Sequence, residues 1–237
     1  MGYRNGMVMT LVGLGLLVAG CTSGSGGGPV TKASDAPVVV APKVVSAASQ
    51  EQIRQGQVLF SENCVTCHQE GGVGKLGVAP SVTNRELLSF ASDRFLFETV
   101  RDGRVGTPMP AFGEILKEND IRSIISYLRS YAKLPDQSAE ADEAVSAMGD
   151  PRLGRRWFSQ ICAGCHGPNG EGYEGEAPGT AIGKRGFLDK ASDGFIRNII
   201  KNGRSNTPMR GFSGPAALAD LSDREIDDII SYLRVLQ

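Results

Sequence analysis

Cys64-Val65-Thr66-Cys67-His68 spells C-x-x-C-H, and Cys162-Ala163-Gly164-Cys165-His166 spells it again 98 positions later. The second copy belongs to a longer repeat. Gly56 and Phe60 precede the first motif at the distances at which Gly154 and Phe158 precede the second. Ser92-Asp93-Arg94-Phe95 aligns with Ser192-Asp193-Gly194-Phe195, and Ile124-Ile125-Ser126-Tyr127-Leu128-Arg129 recurs unchanged as Ile229-Ile230-Ser231-Tyr232-Leu233-Arg234. The chain is therefore a duplication, and whatever fold it adopts must accommodate both copies. Its 237 residues are too many for one small domain and comfortable for two.

The C-x-x-C-H spacing is the attachment signature of a c-type haem. Two thiols add across the porphyrin vinyl groups, and the histidine that follows is held beneath the ring. A redox C-x-x-C pair would need a βαβ pattern around it, and none is visible. A zinc site needs four N, S or O ligands but gives no reason for a histidine directly after the second cysteine in both copies. The motifs thus predict two covalently bound haems c, on Cys64 and Cys67 and on Cys162 and Cys165, with His68 and His166 as iron ligands.

A second axial ligand follows by elimination. His68 and His166 are the only histidines, so bis-histidine ligation is impossible. The Met/His pairing is the remaining common choice. Of six methionines, Met1, Met7 and Met9 lie in the N-terminal segment and Met148 in a stretch that reads as linker. Met109 and Met209 remain, in matching settings: Gly103-Arg104-Val105-Gly106-Thr107-Pro108-Met109 and Gly203-Arg204-Ser205-Asn206-Thr207-Pro208-Met209. Proline restricts its own φ and the residue before it, so the loop presents sulfur in one orientation. Core filler, the ordinary use of methionine, would not repeat at equivalent loop positions. The His-to-Met separation is 41 residues in one copy and 43 in the other.

The chain opens with Arg4, an apolar run from Met7 to Ala19, and Val18-Ala19-Gly20-Cys21. That is a secretory signal, 1–20, too short for a transmembrane span. Its last four residues resemble the bacterial lipobox, which implies lipid on Cys21, the one cysteine the haem motifs leave over. Residues 21–49, rich in Gly, Ser, Pro, Ala and Val, read as a flexible tether. Export places the protein in the bacterial cell envelope, facing the periplasm or the exterior. The formal net charge is −1, which excludes a nucleic-acid partner as a default.

Both copies read as helical, over 50–134 and 148–237. Ser49 with Gln52 predicts a capped first helix, and Pro151 suits the first turn of its counterpart. A second helix follows Ser92 or Ser192 and stops at Gly103 or Gly203. The last helices carry Ile121, Ile124, Ile125 and Leu128, and Ile226, Ile229, Ile230 and Leu233, at helical spacing. Residues 135–147 form a linker with Asp136, Glu140, Asp142 and Glu143 and no basic residue. A polar linker between two complete domains predicts that each folds separately.

C-x-x-C-H after a first helix, a Thr-Pro-Met loop and a final amphipathic helix together resemble the class I cytochrome c fold. The duplication resembles the two-domain dihaem cytochromes c of bacteria. The resemblance covers nearly everything from residue 50 onward and implies an all-α chain of two tandem domains. It also implies that first and last helices cross, with Gly56 and Phe60 against Tyr127 and with Gly154 and Phe158 against Tyr232. The sequence departs from a perfect duplication at Gln69, where the second copy has Gly167, and at Pro110, where it has Arg210.

With both axial positions filled by protein, such a site passes single electrons and resists substrate binding. The expected function is electron transfer between redox protein partners at a membrane surface, with no catalytic residues. Dihaem peroxidases need an open iron and a distal acid–base residue, and thiosulfate-oxidising dihaem enzymes need a spare cysteine. A gas sensor, or a haem subunit of a larger respiratory oxidoreductase, would use the same two centres.

Overall fold

A computed structural model describes residues 47–237, which belong to one compact body. The signal segment, Cys21 and all but the end of the tether lie outside the described residues. Among the described residues there is no β-strand, only an isolated bridge between Lys75 and Ala79.

The first half contains α1 (Ala47–Asn63), α2 (Val65–His68), α3 (Arg85–Phe90), α4 (Asp93–Asp102) and α5 (Glu118–Arg129). Then come α6 (Ser138–Glu143), α7 (Pro151–Trp157), α8 (Ala163–His166), α9 (Arg185–Leu188), α10 (Asp193–Asn202) and α11 (Asp223–Val235). The repeat is visible in the caps. Ser92 and Ser192 accept from the backbone N–H of Phe95 and Phe195 and so open α4 and α10. Gly103 and Gly203 end those helices at φ 66° and 69°, a conformation that suits glycine. Ser222 and Glu225 cap α11 reciprocally, as their spacing predicts.

Two expectations change. The first helix starts at Ala47, so Ser49 lies inside it rather than at its cap. The predicted linker is no bare tether: it folds into α6, which buries Ala141 and packs on α10 and α3. Its entry is anchored by the Ser89 hydroxyl donating to the Pro135 carbonyl at 2.6 Å, and the Gln137 N–H donating to the Ser89 carbonyl at 2.8 Å. Ala141 and Ala144, three residues apart, stand on one side and meet α10 at Gly194, while Ala139 and the acidic Glu140 and Glu143 are exposed.

In each half the first and last helices cross where a glycine permits it. A Cβ on Gly56 would overlap the Ser123 carbonyl, and one on Gly154 the Asp228 carbonyl. Next to the crossing, the Phe60 and Tyr127 rings lie 5.5 Å apart, and Phe158 and Tyr232 5.4 Å. The isoleucine stripes of α5 and α11 are buried, and each buried Ile or Leu contributes about 1.5–3 kcal/mol. The halves differ just before the haem motifs. The helix leading to the first motif is continuous, whereas Phe158–Cys162 is a π-helical turn between α7 and α8.

The arginine that ends each repeated Ile-Ile-Ser-Tyr-Leu-Arg closes the domain. Arg129 donates to the Ala91 carbonyl at 2.6 Å, to Asp93 at 2.8 Å and to the Leu88 carbonyl. Arg234 repeats this with Ala191 at 2.6 Å, Asp193 at 2.8 Å and Leu188 at 2.5 Å. One guanidinium thus satisfies carbonyls at the end of a short helix and pairs with the acidic first residue of the next.

The two domains also share a core. Phe95 lies 4.9 Å from Phe195 and 6.1 Å from Phe187, ring centre to ring centre. These residues join both halves' isoleucines in one buried apolar cluster. The two domains are therefore in apolar contact with each other.

Candidate haem sites and the seam between them

Each cysteine pair flanks a short helix, α2 or α8, at the end of the long first helix. None of the four forms a disulfide; Cys64 and Cys162 are half-buried against the core, while Cys67 and Cys165 are exposed. Burial pushes the Cys64 thiol up to about 11 and the Cys162 thiol up to about 12, with the neighbouring cysteine adding to both. Among the described residues no group of three or more His, Cys, Asp or Glu is arranged to hold a metal ion.

Both histidines are half-buried and engaged through one ring nitrogen only. His68 Nδ1 lies 2.9 Å from the Pro80 carbonyl, and His166 Nδ1 lies 2.8 Å from the Thr180 carbonyl. A carbonyl can only accept, so Nδ1 carries the proton and Nε2 is left with its lone pair for iron. Burial lowers the proton affinity of both imidazoles, opposed by those hydrogen bonds and assisted by Arg104 for His68 and Arg204 for His166. A neutral imidazole with a free Nε2 is the form a haem iron requires.

The methionine loops are built identically. The Thr107 hydroxyl donates to the Arg104 carbonyl at 2.8 Å and accepts from the Met109 N–H at 3.3 Å. The Arg104 N–H reaches the Met109 carbonyl at 3.1 Å, closing the loop. In the second domain Thr207 spans Arg204 and Met209 at 2.7 and 3.2 Å, and the closing bond is 2.8 Å. The threonine in Thr-Pro-Met is thus a brace between the residue that enters the loop and the methionine that leaves it. Met109 and Met209 are half-buried. These residues fit haem c: two thiols, one imidazole nitrogen and one thioether per domain, on an apolar wall.

The arginines of these loops leave their own domains. Arg104 Nη2 donates to the Ala181 carbonyl at 2.5 Å, and Arg204 Nη2 donates to the Ser81 carbonyl at 2.5 Å. Arg104 also lies over the Phe187 ring at 5.0 Å. Burial, and for Arg104 the charge of Arg204, brings both guanidinium groups down to about 10. The Nε of Arg204 is buried without a partner. Neither arginine takes part in an ion pair among the described residues, so two cations share this seam with anion capacity to spare. Haem propionates are the groups whose charge they suit.

The rest of the seam follows the same internal two-fold but uses different chemistry on its two sides. Glu86, buried at the start of α3, accepts from the Ser205 N–H at 2.9 Å and from the Ser205 hydroxyl. Asn84 donates to the Ser205 carbonyl at 2.7 Å, and Arg85 to the Ser205 hydroxyl at 2.8 Å. Burial alone would raise the Glu86 carboxyl; hydrogen bonds from Ser205 and Arg85 outweigh it and hold it at about 2. On the other side Gly186 of α9 approaches the Val105 backbone so closely that a Cβ would overlap it. Sequence reasoning missed α3, α9 and all of these contacts. The available signal was the Gly-Arg repeated at 103–104 and 203–204, a charge conserved between copies in a loop whose chemistry needs none.

Comparison with known proteins follows the duplication. Residues 51–128 match the family described as cytochrome c oxidase, cbb3-type, subunit III, and residues 152–237 match the family described as cytochrome c. The Cbb3-type cytochrome c oxidase subunit CcoP of Rubrivivax gelatinosus is 27% identical over 183 residues, covering 75% of this chain and 52% of that protein. The subunit FixP of Azorhizobium caulinodans is 32% identical over 140 residues, 56% of this chain and 43% of that protein. The chain thus spans about half the length of these curated relatives. A solved structure, the Kuenenia stuttgartiensis reducing HAO-like protein complex Kustc0457/Kustc0458, aligns over 82% of this chain and 98% of that chain at 19% identity and a TM-score of 0.46.

Proposed function

The chain is a dihaem c-type cytochrome, and from that premise we propose that it relays single electrons between redox proteins through two His/Met haems. His68 and Met109 ligate one iron, His166 and Met209 the other, and Cys64, Cys67, Cys162 and Cys165 hold the porphyrins. The haem supplies a one-electron couple; the protein's part is to hold both axial positions and to set the potential. The observation that carries this reading is the paired loop construction. Each histidine is oriented by a backbone carbonyl, and each methionine is braced by a threonine hydroxyl, so neither ligand has to be recruited from elsewhere.

The thioether favours ferrous iron relative to a second imidazole and so raises the potential. Methionine at both irons leaves no open position for peroxide, and no third histidine exists to act as a distal base. The protein is accordingly a carrier and not an enzyme. The test is the weak sulfur-to-iron charge-transfer band in the far red of the oxidised protein. Met109→Ala and Met209→Ala should each remove about half of it, in keeping with one Met-ligated iron per domain, and should raise peroxide consumption. A wild-type spectrum without the band overturns the ligation. Fast peroxide turnover by the intact protein, lost when one methionine is replaced, overturns the carrier role.

Among the described residues no helix is long and apolar enough to cross a membrane. Lipid on Cys21 would hold the protein on the membrane of the cell envelope while the segment up to residue 49 gives the haem domains reach. The Cys21→Ser variant should leave the membrane fraction; if it stays, the apolar segment is itself the anchor.

The match of 51–128 to a subunit of cbb3-type oxidase favours a second reading, in which one of the redox partners is a terminal oxidase. The chemistry of the two haems is unchanged. Co-purification under mild detergent decides it: a stoichiometric oxidase supports the subunit role, and a freely exchanging dihaem protein supports the carrier.

A further inference from the structure

Arg104 and Arg204 occupy equivalent positions in the repeat, yet each makes its polar contact in the other domain. Arg104 leaves the loop that carries Met109 and donates to the Ala181 carbonyl. The preceding carbonyl, that of Thr180, is the one that holds His166. Arg204 leaves the loop that carries Met209 and donates to the Ser81 carbonyl, and the preceding carbonyl, that of Pro80, holds His68. Each guanidinium therefore sits one peptide from the hydrogen bond that orients the opposite domain's proximal histidine.

We propose that Arg104 and Arg204 are shared positioning residues, each of which sets the reduction potential of both haems. This rests on the two-haem His/Met reading. Two physical routes lead to it. Within its own domain each arginine acts by charge: Arg104 stands in the loop that carries Met109, its N–H on the Met109 carbonyl, and Arg204 stands in the same way beside Met209. A cation beside a haem disfavours the ferric state, which carries one more positive charge than the ferrous. Across the seam each arginine acts through the peptide it binds. Holding the Ser81 or Ala181 carbonyl fixes the 81–82 or 181–182 peptide and, through the one Cα between, the Pro80 or Thr180 carbonyl that accepts from Nδ1; a firmer bond there makes the ligating imidazole a stronger donor and lowers the potential. The low-dielectric surroundings that lower both arginines' proton affinity also make their fields long-ranged. Ser205 offers a control, because it belongs to the same seam but touches neither arginine's acceptor.

The experiment is a spectroelectrochemical titration of the full-length dihaem protein. Met109→His and Met209→His, each of which moves one midpoint, assign the two steps to domains. Arg104→Gln is expected to lower the first haem's midpoint, by loss of the charge, and to raise the second's, by loosening the hydrogen bond on His166; Arg204→Gln is expected to do the reverse. At fixed potential the oxidised-to-reduced ratio of at least one haem should rise about tenfold, a shift of about 59 mV for one electron. The double variant should fall short of the sum, as expected of residues that share a network. Arg104→Lys, which keeps the charge, should restore most of the own-domain shift. If a Gln variant fails to load two haems, Arg104→Met and Arg204→Met, which fill the space without charge, are titrated instead with the same expectation. Midpoints that move only in the arginine's own domain, or not at all, overturn the proposal. So does a Ser205→Ala variant that shifts both midpoints as the arginine variants do, since loosening of the seam would then suffice. Loss of the far-red band in the wild-type protein would instead overturn the ligation on which the proposal stands.

Discussion

Phe95 and Phe195 are the same residue of the duplicated unit, and their rings meet 4.9 Å apart at an interplanar angle of 37°. Equivalent residues touch only near an axis that exchanges the two copies. The reciprocal reach of Arg104 and Arg204 obeys the same exchange. The duplication is therefore an assembly with internal two-fold character, as in a dimer whose subunits were joined end to end through α6.

Phe95→Ala should destabilise the whole of the described body and not one domain alone. Phe95 is buried and touches both Phe187 and Phe195, and removing a buried phenylalanine costs about 3–5 kcal/mol. Denaturant unfolding followed at both haems should show the two domains losing stability together; a loss confined to the first would contradict the shared core.

Arg129→Ala and Arg234→Ala should each cost about 2–3 kcal/mol, because each removes a charge-assisted set of bonds and leaves carbonyls of a half-buried helix end without donors. Lysine at either position, lacking the planar fork, should recover only part of the loss. Chemical denaturation of the four variants checks both statements.

Gln69→Gly should stabilise the first domain by about 1 kcal/mol, net of the flexibility glycine adds to the unfolded chain. Gln69 is held at φ 62°, ψ 164°, a region that side chains avoid, whereas the second domain places Gly167 in the same conformation at φ 79°, ψ 158°. Gln69→Ala keeps the Cβ and should gain nothing. Equal unfolding midpoints for all three would show that the strain is absorbed elsewhere.

Acid should open the seam before it unfolds the domains. Glu86 has its carboxyl depressed from 4.5 to about 2 by hydrogen bonds from Ser205 and Arg85 that outweigh its burial. The stabilisation is complete above pH 4.5 and is lost as pH falls toward about 2, because the unfolded or opened chain then takes up the proton first. The distance between the two ferric haems, measured by pulsed dipolar spectroscopy, should broaden through that window. In Glu86→Gln the breadth should be independent of pH across the same range.

The two haem motifs, the methionine loops, the serine caps of α4 and α10 and the isoleucine stripes were all legible in the sequence, because each is a local pattern of spacing or periodicity. Local chemistry of that kind is written in consecutive residues: a C-x-x-C-H turn, a Thr-Pro-Met brace and a helix face need no knowledge of what lies opposite. The seam was not legible. Whether Phe95 faces solvent or Phe195, and whether Arg104 turns to its own domain or to Ala181, depends on how two finished surfaces meet. The same holds for the linker. Its charges read as an acidic linker, and contact with α3 and α10 gives Ala141 a buried place within it that the charge pattern did not show. The sequence by itself determined two C-x-x-C-H haem-binding units and the places of the two Thr-Pro-Met loops in the chain. Only the tertiary structure decided that the units share a core and exchange arginines, since non-local burial is a property of surfaces in contact and not of neighbours along the chain.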